Sequence, residues 1–163
     1  MKELDFNPYK SGKEFHKNYK LHDMASFIGE SLLTQWGISF HEFGKDNRFI
    51  KVWEKGKDKP DIILDYRNKT AFLDWKAKHS SSWKLNERAV ISYEKWSRKF
   101  NIPVIIAFLV FNDNNDLIDR RVAVIGVHKY NLNAKVEWDR NKVAQFEEDL
   151  PKFTKLNLIE IVK

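Results

Sequence analysis

Residues 102–111, IPVIIAFLVF, are an unbroken apolar run rich in β-branched side chains. Successive side chains of a strand point to opposite faces, so a run with no polar member reads as a strand covered on both faces. Such a strand belongs in a layered α/β architecture, with helices packed over a central sheet. Two segments upstream read as those helices. Over residues 85–100, Ala89, Tyr93, Trp96 and Phe100 recur at helical spacing, with Asn86 as the cap. Over residues 24–36 the apolar positions are Met24, Phe27, Ile28, Leu32 and Trp36, with Asp23 as N-cap and Gly37 as stop. On that wheel Glu30 falls opposite the Met24, Ile28, Leu32 stripe and reads as a solvated residue.

Between the helices lies a hairpin. Apolar runs at residues 62–66 and 71–75 flank the polar tetrad Arg67, Asn68, Lys69 and Thr70. With Asn68 and Lys69 as the loop, Tyr66 pairs with Ala71, Ile63 with Asp74, and Asp61 with Lys76. Paired residues share a face, so Asp61, Asp74 and Lys76 converge. A three-residue loop would shift the pairing by one and send Asp61 to the other face. Two converging carboxylates repel each other unless a cation joins them. Mg²⁺ takes one or two protein carboxylates, keeps several waters and shares its other positions with phosphate oxygens. A neighbouring lysine can orient or help deprotonate an attacking water and offset charge growing on phosphorus oxygens. Those parts suit phosphodiester hydrolysis.

At this point the residues resemble the PD-(D/E)XK nuclease superfamily. Pro60-Asp61 looks like its PD half and Asp74-Trp75-Lys76 like its (D/E)xK half. The order helix, hairpin, helix, buried strand over residues 24–111 matches the superfamily core. The resemblance implies a restriction-endonuclease-like α/β fold, with a central mixed β-sheet flanked by helices in αβββαβ order; residues 38–43 would be its first strand. It implies Asp61, Asp74 and the Trp75 backbone carbonyl as ligands of Mg²⁺ or Mn²⁺, and Lys76 as the catalytic lysine. Gly29-Glu30, Leu33 and Gly37 resemble the first helix of small Holliday-junction-resolvase-like members, which implies Glu30 as a further acid at the site. Relatives of the exonuclease type carry a glutamine four residues before the tyrosine; here Ala89 precedes Tyr93, and the implied activity is that of an endonuclease. Resolvase and restriction relatives act as dimers, which implies a homodimer on DNA.

Composition bounds the rest. The 163 residues, 42% hydrophobic, suffice for a single domain spanning 1–163, with residues 1–22 as a basic N-terminal extension, either an added helix near residues 12–20 or an arm that orders on DNA. No apolar stretch approaches the ~18 residues of a spanning helix and no signal-peptide centre is visible, so a soluble, cytoplasmic protein without membrane contact is expected. The absence of cysteine rules out disulfides, zinc-thiolate sites and iron–sulfur clusters. A net charge of +6 favours a polyanionic partner. Candidate phosphate contacts are Lys55, Lys57 and Lys59 just ahead of Asp61, together with Lys78 and Arg88. No GxxxxGK[ST] motif is present, so no nucleotide cofactor is expected. The five histidines show no metal-ligand spacing, His79 being nearest the motif, and Trp53 and Trp83 fall in loops, where core or rim packing is the default and stacking on unpaired bases the alternative. Beyond the core, residues 122–127 read as a strand, 128–133 as a loop, 140–150 as a helix stopped by Pro151, and 156–162 as an alternating edge strand. The competing functional reading is a non-catalytic nucleic-acid-binding module that keeps the nuclease fold.

Overall fold

The computed structural model describes residues 12–44, 58–138 and 141–162. In chain order these form α1 (Gly12–Gln35), β1 (Ser39–Glu42), β2 (Ile62–Tyr66), β3 (Lys69–Lys78), β4 (Lys84–Asn86), α2 (Glu87–Phe100), β5 (Val104–Phe111), β6 (Leu117–Val124), β7 (Tyr130–Trp138), β8 (Asn141–Phe146) and α3 (Lys155–Val162). A five-stranded sheet runs β1-β2-β3-β5-β6. Its pairs are antiparallel except β3 with β5, which are parallel and joined through α2. This is the central mixed sheet flanked by helices that the sequence implies. All eight residues of β5 are buried, as an unbroken apolar run requires.

The pleat sorts the side chains of β3 between two cores. Ala71, Leu73 and Trp75 enter one with Leu21, Ala25 and Leu33 of α1 and with Leu158 and Val162 of α3. Phe72 enters the other with Ala89, Val90 and Tyr93 of α2 and with Ala144 and Phe146 of β8. A Cβ on Gly29 would overlap the six-membered ring of Trp75, so the bare backbone at this position is what lets α1 lie close against β3. The buried face of α1 is therefore centred on Ala25 and Leu33, with Met24, Ile28, Leu32 and Trp36 packed beside it. Phe27, counted in the apolar stripe from sequence, is 73% exposed. The helix begins at Gly12, so Asp23 is an interior residue rather than a cap, and residues 12–22 continue the same helix.

The hairpin forms with a different register. Tyr66 pairs with Lys69 and Ile63 with Phe72, which makes Arg67 and Asn68 the loop. Both have positive φ, 48° and 64°, as a type I′ turn demands at its two central positions. Thr70 Oγ1 donates to Asp65 Oδ1 at 3.0 Å across the turn. Relative to the expected pairing the strands slide by two residues, and because the side-chain period is two, every residue keeps its face. Extending the ladder one step puts Asp61 level with Asp74.

The C-terminal third departs from expectation. The segments read as a loop and a helix form the antiparallel strands β7 and β8, which join β4 in a second, three-stranded sheet ordered β4-β8-β7. Val143, Ala144 and Phe146 gain burial there, and tertiary pairing outweighs local propensity. Residues read as a closing strand form α3 instead. Thr154 Oγ1 accepts from the Asn157 N–H at 3.2 Å at its start, and Leu158 and Val162 bury at a spacing of four. Strand β6 begins at Leu117 and takes in Arg120 and Arg121, then ends before Gly126, whose φ of 84° turns the chain. Trp53 lies outside the described residues.

Candidate active site

Asp61 sits just before β2, and Asp74 and Lys76 lie two apart on one face of β3. Both acids are buried, at 3% and 2% exposure. Asp61 Oδ2 accepts the Trp75 N–H at 2.9 Å. That amide is turned toward β2, since the Phe72 N–H, of opposite parity, donates the other way to Pro103 O at 2.8 Å. N–H and C=O of one strand residue point to the same side, which brings the Trp75 carbonyl to the Asp61 side of β3 as well. The backbone of Pro60 and Asp61 is pinned in turn by the Gly44 and Phe43 N–H groups, each donating at 2.9 Å.

Lys76 Nζ stands 2.9 Å from Asp74 Oδ2. The contact is a close, buried charge pair, and the ammonium is the positive charge nearest that oxygen. Burial, then the charge of Asp61, pushes the Asp74 carboxyl up to about 7, against the pull of Lys76. At Asp61 burial acts in the same direction, yet His22, Lys76 and the Trp75 amide together outweigh it and hold this carboxyl below its usual range. Burial lowers the Lys76 ammonium, but Asp74 and Asp61 more than reverse that and raise it. The buried Tyr93 phenol on α2 borders the acids, and burial first and then Asp74 and Asp61 raise it.

Two residues at this site escaped the sequence reading. His22, on α1, places Nε2 3.5 Å from Asp61 Oδ2 and Nδ1 4.0 Å from Asp23 Oδ1. Burial lowers this imidazole, and the contact with Asp61 raises it by more. The sequence signal for it is the i, i+4, i+8 ridge of His22, Ser26 and Glu30, which a helix starting at Met24 does not include. Asp58 is the other. Its carboxylate accepts from Arg88 Nε at 3.1 Å, and its carbonyl accepts from Ser92 Oγ at 2.6 Å and Trp96 Nε1 at 3.0 Å. One face of α2 thus grips the chain just ahead of Pro60-Asp61.

The structure therefore gathers Asp61, Asp74, Lys76 and the Trp75 backbone. Glu30 is half-buried on α1, two turns beyond His22. Lys59 is exposed, with Nζ 6.0 Å from the Trp96 ring centre. Lys78 turns inward and donates to Lys84 O at 2.8 Å; burial, then Lys76 and Lys84, brings its ammonium down to about 8. Lys55 and Lys57 lie outside the described residues. Trp83 takes the packed alternative rather than the base-stacking one: it is 3% exposed and donates to Glu148 O at 3.1 Å. Among the described residues no three His, Cys, Asp or Glu side chains are gathered as a ready-made metal cage. The donor set of two buried carboxylates and a carbonyl nevertheless fits a hard divalent cation that retains waters. No helix of the described residues is long and apolar enough to cross a membrane.

No family model matches the sequence, and no curated protein matches it. Among solved structures, the fold is similar to that of Hjc, a Holliday junction resolvase from the archaeal hyperthermophile Archaeoglobus fulgidus. The superposition has a TM-score of 0.52 and covers 80% of this chain and 98% of that one, at 12% sequence identity.

Proposed function

We propose, from a fold shared with a junction resolvase, that this chain is a divalent-metal-dependent endonuclease hydrolysing DNA phosphodiester bonds in recombination, repair or restriction. The observation that carries the reading is the buried pair Asp61 and Asp74 on one face of the sheet, with Lys76 Nζ 2.9 Å from Asp74 Oδ2. Asp61, Asp74 and the Trp75 carbonyl would hold Mg²⁺ or Mn²⁺. When bound, the ion polarises the scissile phosphate and makes water a better nucleophile.

The chain's own groups do the rest. Lys76 orients the attacking water and offsets charge developing on the phosphate oxygens. The Trp75 amide and the β2–β3 ladder fix Asp61 so that no reorganisation is needed during reaction. Glu30 joins as an assisting acid on the resemblance of its helix. Lys59 is exposed and would contact flanking phosphates, to which Lys55 and Lys57 would add by their place in the sequence, while Lys78 and Arg88 would exchange the Lys84 carbonyl and Asp58 for phosphate. Cutting two strands calls for two centres, hence a second copy of the chain.

The test is a cleavage panel of supercoiled, linear, single-stranded and four-way-junction DNA with Mg²⁺, with EDTA, and with Asp74→Ala. Cleavage should need the ion and fall by about a thousandfold or more in the variant. Symmetric nicking of the junction would assign the resolvase role. Salt-dependent DNA binding with no cleavage under any metal would instead establish a non-catalytic binding module. Chelator-resistant cutting would reject the proposed chemistry.

A further inference from the structure

We infer that the stacked rings of Trp96 and Phe100, flanked by Lys59 and Lys99, form a subsite for an unpaired base close to the cut, so that the substrate is a duplex carrying a single-stranded segment. The inference rests on the nuclease reading above and adds to it the residues that select the DNA structure. Trp96 and Phe100 are four apart on α2, and their rings lie nearly parallel, at 7° and 5.5 Å between centres, the offset arrangement that aromatic pairs prefer. Toward the core the stack is closed. Trp96 meets Phe43 edge-on at 5.1 Å, and Phe100 meets Phe72 edge-on at 5.8 Å. Phe100 is nonetheless 47% exposed, as the last residue of α2 before Asn101 turns the chain with a φ of 53°. A half-exposed ring on a fixed stack leaves aromatic surface open to a further plane.

Charge selects the occupant. Lys99 Nζ stands 5.7 Å from the Trp96 ring centre and 5.4 Å from that of Phe100, and Lys59 Nζ stands 6.0 Å from that of Trp96. Both lysines are exposed, so their hold on the rings is weak and a phosphate can draw them off. A nucleotide serves both kinds of group at once, with a flat π face for the rings and a phosphate for the ammoniums. An apolar protein surface laid here would instead desolvate two ammoniums without pairing them. A base inside a duplex has both faces covered by its neighbours, so the subsite takes a base that has left the stack, whatever its identity. Position ties this to the reaction. Trp96 Nε1 donates to Asp58 O at 3.0 Å, which fixes the indole before any DNA arrives. Asp58 to Asp61 is three residues, at most about 10 Å of chain. With the reach of the rings from Asp58 added, the stack lies within about five nucleotides of the phosphate addressed at Asp61.

The experiment measures binding of the full chain in EDTA, so that cleavage does not enter, to a blunt duplex and to the same duplex with a short single-stranded tail carrying 2-aminopurine. It is run for wild type, for Phe100→Leu, which keeps apolar bulk without a π face, for Phe100→Tyr and for Lys99→Ala. Wild type should prefer the tailed duplex by about 5–100-fold and quench the 2-aminopurine emission. Phe100→Leu should lose most of both effects and Phe100→Tyr should retain them, while Lys99→Ala should lower the salt dependence of binding by about one charge. Equal affinity for the two duplexes, or undiminished quenching in Phe100→Leu, overturns the inference. So does a wild-type dimer that gives no quenching and that Phe100→Leu converts to monomer, which assigns the patch to a second copy of the chain. Metal-dependent cleavage by a wild type that shows no stacking removes this inference and leaves the nuclease reading in place; stacking with no cleavage under any metal keeps the subsite and removes the nuclease. Should Phe100→Leu not fold, tail preference and quenching in wild type and Phe100→Tyr decide the question.

Discussion

Phe72 and Asp74 are two residues apart on the same face of β3, and their surroundings could hardly differ more. Phe72 is enclosed by rings: Phe43 at 4.9 Å, Phe100 at 5.8 Å and Trp96 at 6.0 Å between centres. Asp74 is equally buried, yet burial and the charge of Asp61 drive its carboxyl up to about 7 even with Lys76 beside it. One end of this strip of sheet is satisfied by packing. The other end holds two buried carboxylates whose mutual repulsion and burial Lys76 offsets only in part. The lesson is a division of labour along a single strand: the aromatic end holds the hairpin in place so that the acidic end can remain unfavourable.

Exchanging the two properties should break that division. Asp74→Ala is expected to remove about three orders of magnitude of cleavage rate or more while leaving the fold intact by circular dichroism. Phe72→Ala should do the reverse in kind, costing about 3–5 kcal/mol in a denaturant melt through the cavity left among Phe43, Trp96 and Phe100. Gly29→Ala probes the opposite face of β3. It should destabilise by about 1–3 kcal/mol, because the new methyl must displace the Trp75 ring or lift α1 from the sheet.

Smallest, and most diagnostic, is the pH dependence of metal-free stability. The Asp74 carboxyl at about 7 lies above its ordinary value of 3.8, so the folded chain keeps a proton that the unfolded chain has shed, and stability falls as pH rises between those values. His22, raised from 6.5, adds a loss as pH rises through its folded value. Asp61, lowered from 3.8, withdraws its contribution only in more acid solution, as pH falls through its folded value. Melting temperature without metal should therefore drop from pH 5 to pH 8. Asp74→Asn should flatten much of that slope, and Mg²⁺ should restore the wild-type protein at pH 8. A flat profile in metal-free wild type would erase the contrast between the two ends of the strip.

How far the sequence reveals this arrangement depends on the kind of signal. The buried β5 and the shared face of Asp61, Asp74 and Lys76 are legible because strand parity survives a two-residue error in register. The turn itself is not, since Arg67 is an unusual occupant of a positive-φ position and only the formed ladder selects it. Residues 130–146 carry no local pattern that names β4 as their partner, and the run LNLIEIV in α3 satisfies a period of two as well as it satisfies Leu158 and Val162 four apart. His22 is invisible to spacing rules because its partner, Asp61, is distant in sequence and is met only when α1 closes over β3.

The clasp of Arg88, Ser92 and Trp96 around Asp58 has a mechanical corollary. Pro60, with its fixed φ, links that anchor to Asp61, so the coupling between α2 and the carboxylate is short and stiff. A push that slides α2 along its own axis is transmitted to Asp61 like the throw of a lever. A load placed on the outer surface of that helix would thus be felt at a carboxylate it never touches.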